Sequence, residues 1–142
     1  MKLCLINGPN LNLVGQREPD QYGDQSFDEF IPQLKADFPS IEISYFQSNI
    51  EGELITAIQV AGADHDGIIL NAGAYTHTSI GIADAIRAIK APVIEVHLSN
   101  VASRETFRHE SYLTPVCKGL IMGFGMESYR LALLYFCLKF QV

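Results

Sequence analysis

Apolar runs and polar breaks alternate along this chain. Residues 3–6 are continuously apolar, the pattern of a parallel strand covered on both faces. The run stops at Asn7-Gly8-Pro9-Asn10-Leu11-Asn12, a rigid, amide-rich turn. Ser26-Phe27-Asp28-Glu29 has capping-box spacing, and Phe27, Phe30, Ile31 and Leu34 then recur at helical intervals up to Phe38-Pro39. Residues 41–46 alternate and predict a second strand that ends in Gln47-Ser48-Asn49. Ser48 and Glu51 predict a second capping box, opening a helix that carries Leu54, Ile55, Ile58 and Val60 to about Gly62.

Residues 67–70 predict a third, buried strand, which breaks into Asn71, Gly73, Tyr75, Thr76, His77, Thr78 and Ser79. Ile80, Ile82, Ala83, Ala85 and Ile86 then mark a helix running to about Lys90. Residues 92–96 form a fourth apolar run, ending in His97-Leu98-Ser99-Asn100. A loop with Ser103, Arg104, Glu105, Phe107, Arg108, His109 and Ser111 leads to a fifth short strand, Gly119–Met122. Residues 127–138 close the chain as a helix with an apolar stripe. This alternation predicts an α/β, flavodoxin-like three-layer fold: a five-stranded parallel sheet with helices on both faces.

In such a sheet the carboxyl ends of all strands share one edge. Asn7 with Asn10, residues 47–49, residues 71–77 and residues 97–100 would therefore meet in one crevice. Turn chemistry or helix capping accounts for each group alone, but four of them on one edge predict a binding cleft. Residues 14–25 lack periodicity and form a long polar loop containing Arg17 and Tyr22. A loop of that length reads as a lid or binding loop, or as solvated surface.

Composition narrows the partners. The 142 residues suit one domain, 1–142, and 48% hydrophobic with 18% charged residues describe a globular chain. A net charge of −6 argues against nucleic acid, which calls for a basic face. Cys4, Cys117 and Cys137 are scattered, with no C-x-x-C pair, and fit a reducing cytoplasm. The N-terminal apolar run meets Asn7 too soon for a signal peptide or membrane span, so a cytoplasmic protein without a membrane partner is expected.

The polar strand ends also narrow the chemistry. His65, His77, His97 and His109 have no metal-binding spacing, so no metal is expected. Neither a phosphate loop nor a G-x-S-x-G elbow is present, and no Lys stands at a strand end to form an imine. His, Tyr, Arg, Asn and Ser remain, a set suited to proton transfer without a cofactor. His97 suits a general acid or base. Glu95 lies two residues earlier on the same strand, facing the same way, where it would fix the ring's tautomer and favour its charged form. Alternatively, His97 is a core histidine bonded to a backbone carbonyl. Tyr22 could serve as a base if a cation such as Arg17 stabilised its phenolate.

The motifs Leu5-Ile6-Asn7-Gly8-Pro9-Asn10-Leu11-Asn12-Leu13, Arg17-Glu18-Pro19, Tyr22-Gly23, Gln47-Ser48-Asn49, Glu51-Gly52-Glu53, Asn71, Gly73-Ala74-Tyr75-Thr76-His77-Thr78-Ser79, Asp84-Ala85, Glu95-Val96-His97-Leu98-Ser99-Asn100, Arg104-Glu105 and Phe107-Arg108-His109 occur in order along the chain. Together they resemble the type II 3-dehydroquinate dehydratases. Ile50 stands where that family usually has His, Ala72 where it has Pro, and Gly81 where it has Ala.

The resemblance implies loss of water from 3-dehydroquinate to give 3-dehydroshikimate through an enolate, without metal or cofactor, in the shikimate pathway. It implies Tyr22 as base, Arg17 as its cation, His97 as acid and Asn10 as holder of a water near the enolate oxygen. It also implies Asn71, His77, Asp84, Leu98, Ser99 and Arg108 as substrate-binding residues. The family forms trimers assembled into homododecamers, in which Asp84 would reach a neighbour's site. Two other readings are a flavodoxin-fold binding module for FMN or a phosphorylated ligand, and an inactive scaffold.

Overall fold

The computed structural model describes residues 1–16 and 25–141, so Arg17 and Tyr22 lie outside the described residues. The strands are β1 (Lys2–Asn7), β2 (Glu42–Gln47), β3 (Gly67–Asn71), β4 (Val93–His97) and β5 (Gly119–Met122). The helices are α1 (Phe27–Asp37), α2 (Glu51–Asp64), α3 (Ile80–Ala88) and α4 (Glu127–Phe140). All neighbouring strands are parallel, in the order β2-β1-β3-β4-β5. This is the predicted flavodoxin-like sheet. Among the described residues no helix is long and apolar enough to cross a membrane.

Period-two alternation divides the core. Leu3 and Leu5 of β1 face one layer, with Phe30 and Leu34 of α1 and Leu133 and Phe136 of α4. Cys4 and Ile6 face the other, with Leu54 and Ile58 of α2 and Ile82 and Ile86 of α3. Because both faces are covered, β1 and β3 read as continuous apolar runs instead of alternating ones, and in β4 only Glu95 and His97 interrupt the run.

Two of the helices open on a side-chain cap. Ser26 closes a true capping box with Glu29 at the start of α1. Ser79 caps α3, its Oγ accepting the Ile82 N–H at 2.9 Å. The second predicted capping box does not form. Ile50 occupies the N-cap of α2, without a side-chain cap. Ser48 remains tied to the sheet, its N–H donating to the Asn7 carbonyl at 3.0 Å. Its Oγ accepts the Ile50 N–H at 2.9 Å and donates to Glu53 Oε2 at 2.5 Å. The partner is Glu53 and not Glu51 because the helix starts two residues later than the spacing suggested, with Ile50 and not Ser48 at the N-cap. The helix also runs on past Gly62 to Asp64, and α3 stops at Ala88, short of Lys90. A 3-10 turn, Gly73–His77, lies between β3 and α3.

The chain crosses to β2 on one side of β1 and to β3 on the other, making the β1/β3 boundary the topological switch point. There Asn7 stands opposite Asn71. Gly8 continues the contact, its N–H donating to the Asn71 carbonyl at 2.7 Å. A Cβ on Gly8 would lie 2.5 Å from the Ala72 carbonyl oxygen, which is backbone and cannot swing away. Gly8→Ala should therefore cost about 1–3 kcal/mol by overpacking. The urea midpoint is expected to fall with an unchanged slope. An unchanged midpoint would mean that the two strand ends separate freely.

Candidate active site

A cleft of about 350 Å³ opens at the carboxyl ends of the strands. Asn10, Asn71, His77, His97, Leu98, Ser99 and Arg108 all line it, so the structure brings seven of the sequence-predicted residues together. Asp84 is not among the lining residues. It is exposed on α3, where Arg87 Nη1 donates to its Oδ1 at 2.8 Å. Glu95 stands behind His97, with no solvent exposure. A larger cavity of about 730 Å³ lies over β2 and α2, but its walls are mostly apolar, including Phe46, Ile50, Ala57 and Val60.

Asn10 sits just beyond β1 with φ 68°, a left-handed conformation that Asn tolerates better than most residues. Its N–H donates to Asn49 Oδ1 at 2.9 Å, so the β2 end braces the β1 end. Asn71 is held by the buried Tyr129 of α4. Asn71 Nδ2 donates to the Tyr129 hydroxyl at 3.1 Å, and that hydroxyl donates to Asn7 Oδ1 at 2.6 Å. Asn71 Oδ1 accepts the Gly73 N–H at 3.2 Å. Burial pushes the Tyr129 phenol well up, so it stays a neutral bridge between the two asparagines.

The other wall carries cations. Arg104 and Arg108 both line the cleft. Arg108 Nε donates to Glu105 Oε2 at 2.9 Å. His77 Nδ1 lies 2.6 Å from the Glu110 carbonyl, which can only accept, so Nδ1 carries the proton. The cleft thus joins a guanidinium wall to amide and hydroxyl groups, which suits a small polyhydroxylated anion.

His97 and Glu95 make the titratable pair, with His97 Nε2 donating to Glu95 Oε1 at 2.8 Å. Three hydroxyls join them. Thr76 Oγ1 donates to Oε1, Ser111 Oγ reaches the same oxygen at 3.3 Å, and Thr114 Oγ1 donates to Oε2 at 2.5 Å. Burial pushes the Glu95 carboxyl up. The bond to His97, its charge, and the Thr114 and Thr76 hydroxyls outweigh burial and hold the carboxyl below the usual range. The Cys117 thiol is pushed up to about 12, first by burial and then by the Glu95 charge, which makes it inert as a nucleophile.

Sequence reasoning placed His97 and Glu95 and put Thr76 at the crevice without a role there, but missed Ser111, Thr114 and Tyr129 as site-building residues. Hydroxyls in an irregular loop carry no periodic signal. Tyr129 lies in an apolar helical stripe, where it reads as core.

The family model of class II dehydroquinases matches residues 1–137. The chain belongs to this family. It is 58% identical over 134 residues to a 3-dehydroquinate dehydratase of Exiguobacterium, with 94% of this chain and 92% of that one covered. The crystal structure of type II dehydroquinase from Butyrivibrio crossotus superposes with a TM-score of 0.91 at 44% identity, covering 95% of this chain and 96% of that one. That from Propionibacterium acnes gives 0.92 at 35% identity, covering 96% of each chain. Class II dehydroquinase membership thus meets a cleft whose only carboxylate–histidine pair among the described residues is Glu95–His97. Among those residues no group of three or more His, Cys, Asp or Glu side chains is placed to hold a metal ion.

Tyr129→Phe removes the hydroxyl that both asparagines use. It should destabilise the protein by about 1–3 kcal/mol, the cost of leaving buried amide groups unpaired. Urea unfolding measures this, and wild-type stability would show that the two amides pair without Tyr129.

Proposed function

We infer that this chain is a 3-dehydroquinate dehydratase, a lyase of the shikimate pathway that converts 3-dehydroquinate to 3-dehydroshikimate. Family membership over nearly the whole chain is the observation that carries this reading. We read residues 1–142 as one catalytic domain, since both core layers share a single sheet.

The chemistry needs a base, an acid and a stabilised enolate. The proton removed lies next to a ketone, so its electron pair passes into an enolate. On our reading Tyr22 takes that proton as phenolate, and Arg17 supplies the neighbouring positive charge. The enolate then collapses and expels the β-hydroxyl. Hydroxide is a poor leaving group, so protonated His97 delivers a proton and water departs. Glu95 orients the imidazole through the 2.8 Å bond and balances its charge.

Asn10 would hold a water near the enolate oxygen. Asn71, His77, Leu98, Ser99 and Arg108 would bind substrate, with its carboxylate at Leu98-Ser99 and its hydroxyls on the polar side chains. No cofactor has a part in this scheme. The exposed position of Asp84 supports a role at a neighbour's cleft, in trimers assembled into a homododecamer. The free cysteines Cys4, Cys117 and Cys137 support a cytoplasmic setting.

The direct test follows the ultraviolet absorbance of the conjugated enone on mixing protein with 3-dehydroquinate. A rise unchanged by EDTA, or by borohydride treatment with substrate, is expected. No rise from folded protein would favour a binding module or scaffold. Tyr22→Phe and His97→Ala should each lower kcat by about 10²–10⁴-fold, the usual share of a general acid or base. Near-full activity in either variant would remove that residue from its role. Light scattering should give a twelve-subunit mass, and a monomer mass at assay concentration would refute the assembly.

A further inference from the structure

The donors around Glu95 form an oriented array. Ser111 Oγ accepts two backbone N–H groups, Leu113 at 3.1 Å and Thr114 at 3.0 Å. Those fill both acceptor sites of the hydroxyl, so the Ser111 proton must point outward. Its partners there are Thr76 Oγ1 at 2.8 Å and Glu95 Oε1 at 3.3 Å. A Thr76 hydroxyl that accepts from Ser111 directs its own proton to Glu95. Backbone amides thereby set every proton in the relay toward the carboxylate.

The two carboxylate oxygens are not equivalent. Oε1 receives His97 and Thr76, with Ser111 Oγ standing 3.3 Å away and bonded through Thr76. Oε2 receives Thr114 Oγ1 at 2.5 Å. A proton leaving the imidazolium passes along its own bond to Oε1. The Thr114 O–H on Oε2 draws charge from the same carboxylate and so makes Oε1 a poorer proton acceptor.

We propose that Thr114, supported by Ser111 and Thr76, is a positioning residue that keeps the proton of the pair on His97 by holding negative charge on Glu95 Oε2 and so weakening the carboxylate as a proton acceptor. Without that bond the carboxylate takes the proton from Nε2 more readily, the pair neutralises itself, and the ring no longer carries the charge that favours proton delivery to the leaving group. Thr114 is not among the residues lining the substrate cleft, so its effect falls on turnover and not on binding. The inference rests on His97 as the acid.

The other ionisable groups near Glu95 come from separate elements. Cys117 precedes β5 and stays a neutral thiol. His77, Arg108 and His109 line the cavity of about 420 Å³ that also touches Glu95 and His97. The pH dependence below is therefore read against variants of one residue, which leave all of these in place.

The test compares Thr114→Val with Thr114→Ser in the enone assay, with His97→Ala alongside. Thr114→Val should lower kcat about ten-fold or more, the scale of one charge-assisted hydrogen bond. KM should stay within about two-fold, and the acidic limb of kcat against pH should move upward, because Glu95 takes its proton more readily. Thr114→Ser restores the hydroxyl and should restore both kcat and the profile. If Thr114→Val does not fold, Thr114→Ala takes its place with the same expected loss. A hydroxyl-free variant with wild-type kcat and pH profile, or a Ser variant as impaired as Val, overturns the inference. Full activity in His97→Ala would instead overturn the acid role on which it rests.

Discussion

A fully buried carboxylate is the constraint around which the catalytic end of this protein is assembled. Taking one such ion out of water costs several kcal/mol unless its oxygens are matched by donors. Glu95 has no exposure, and its matching donors come from two other segments as well as from His97 on its own strand. Thr76 arrives on the turn after β3, and Ser111 and Thr114 on the loop before β5. Those segments are also joined directly, by the Tyr112 N–H on the Thr76 carbonyl at 2.9 Å and by His77 on the Glu110 carbonyl. Satisfying one charge therefore fixes two loops, and the same loops hold His77 and Arg108 at the cleft.

The other half of the cleft depends on a neutral device. At the switch point the backbones of β1 and β3 are already paired, which leaves the side chains of Asn7 and Asn71 buried without water. Tyr129 bridges the two with one hydroxyl, reaching from a helix at the far end of the chain, while Tyr45 takes an Asn7 amide hydrogen at 3.3 Å. The first strand, the third strand and the last helix are thus coupled at the floor of the cleft. Asn71 keeps one amide hydrogen beyond its bond to Tyr129, so it is oriented without being used up.

This division explains what the sequence could reveal. β1 and β3 were legible because they are buried on both faces and carry unbroken apolar runs, β2 because it alternates, and Glu95–His97 followed from period-two geometry. The cap at Ser26 was legible because helix and box start together. The box at Ser48 misled because strand pairing held that residue in the sheet, a tertiary fact that local spacing does not carry. The roles of Thr76, Ser111, Thr114 and Tyr129 were illegible for a related reason. Their partners lie 16 to 122 residues away, and a Thr in a loop or a Tyr in a helix has an ordinary local explanation.

Asp84 makes the opposite case, a residue that local geometry turns away from its own cleft. It lies on the solvent face of α3, between the buried Ala83 and Ala85, and an i,i+3 bond to Arg87 holds it there. Turning it inward would rotate Ile82, Ala83, Ala85 and Ile86 out of the core, at a cost far above anything one carboxylate contact returns. An exposed ion pair, by contrast, is worth at most about 1 kcal/mol and exchanges readily for another partner. If Asp84 meets substrate at all, it does so at a second copy's cleft. Its role and self-association are therefore one question, and a monomeric enzyme would leave Asp84 without any.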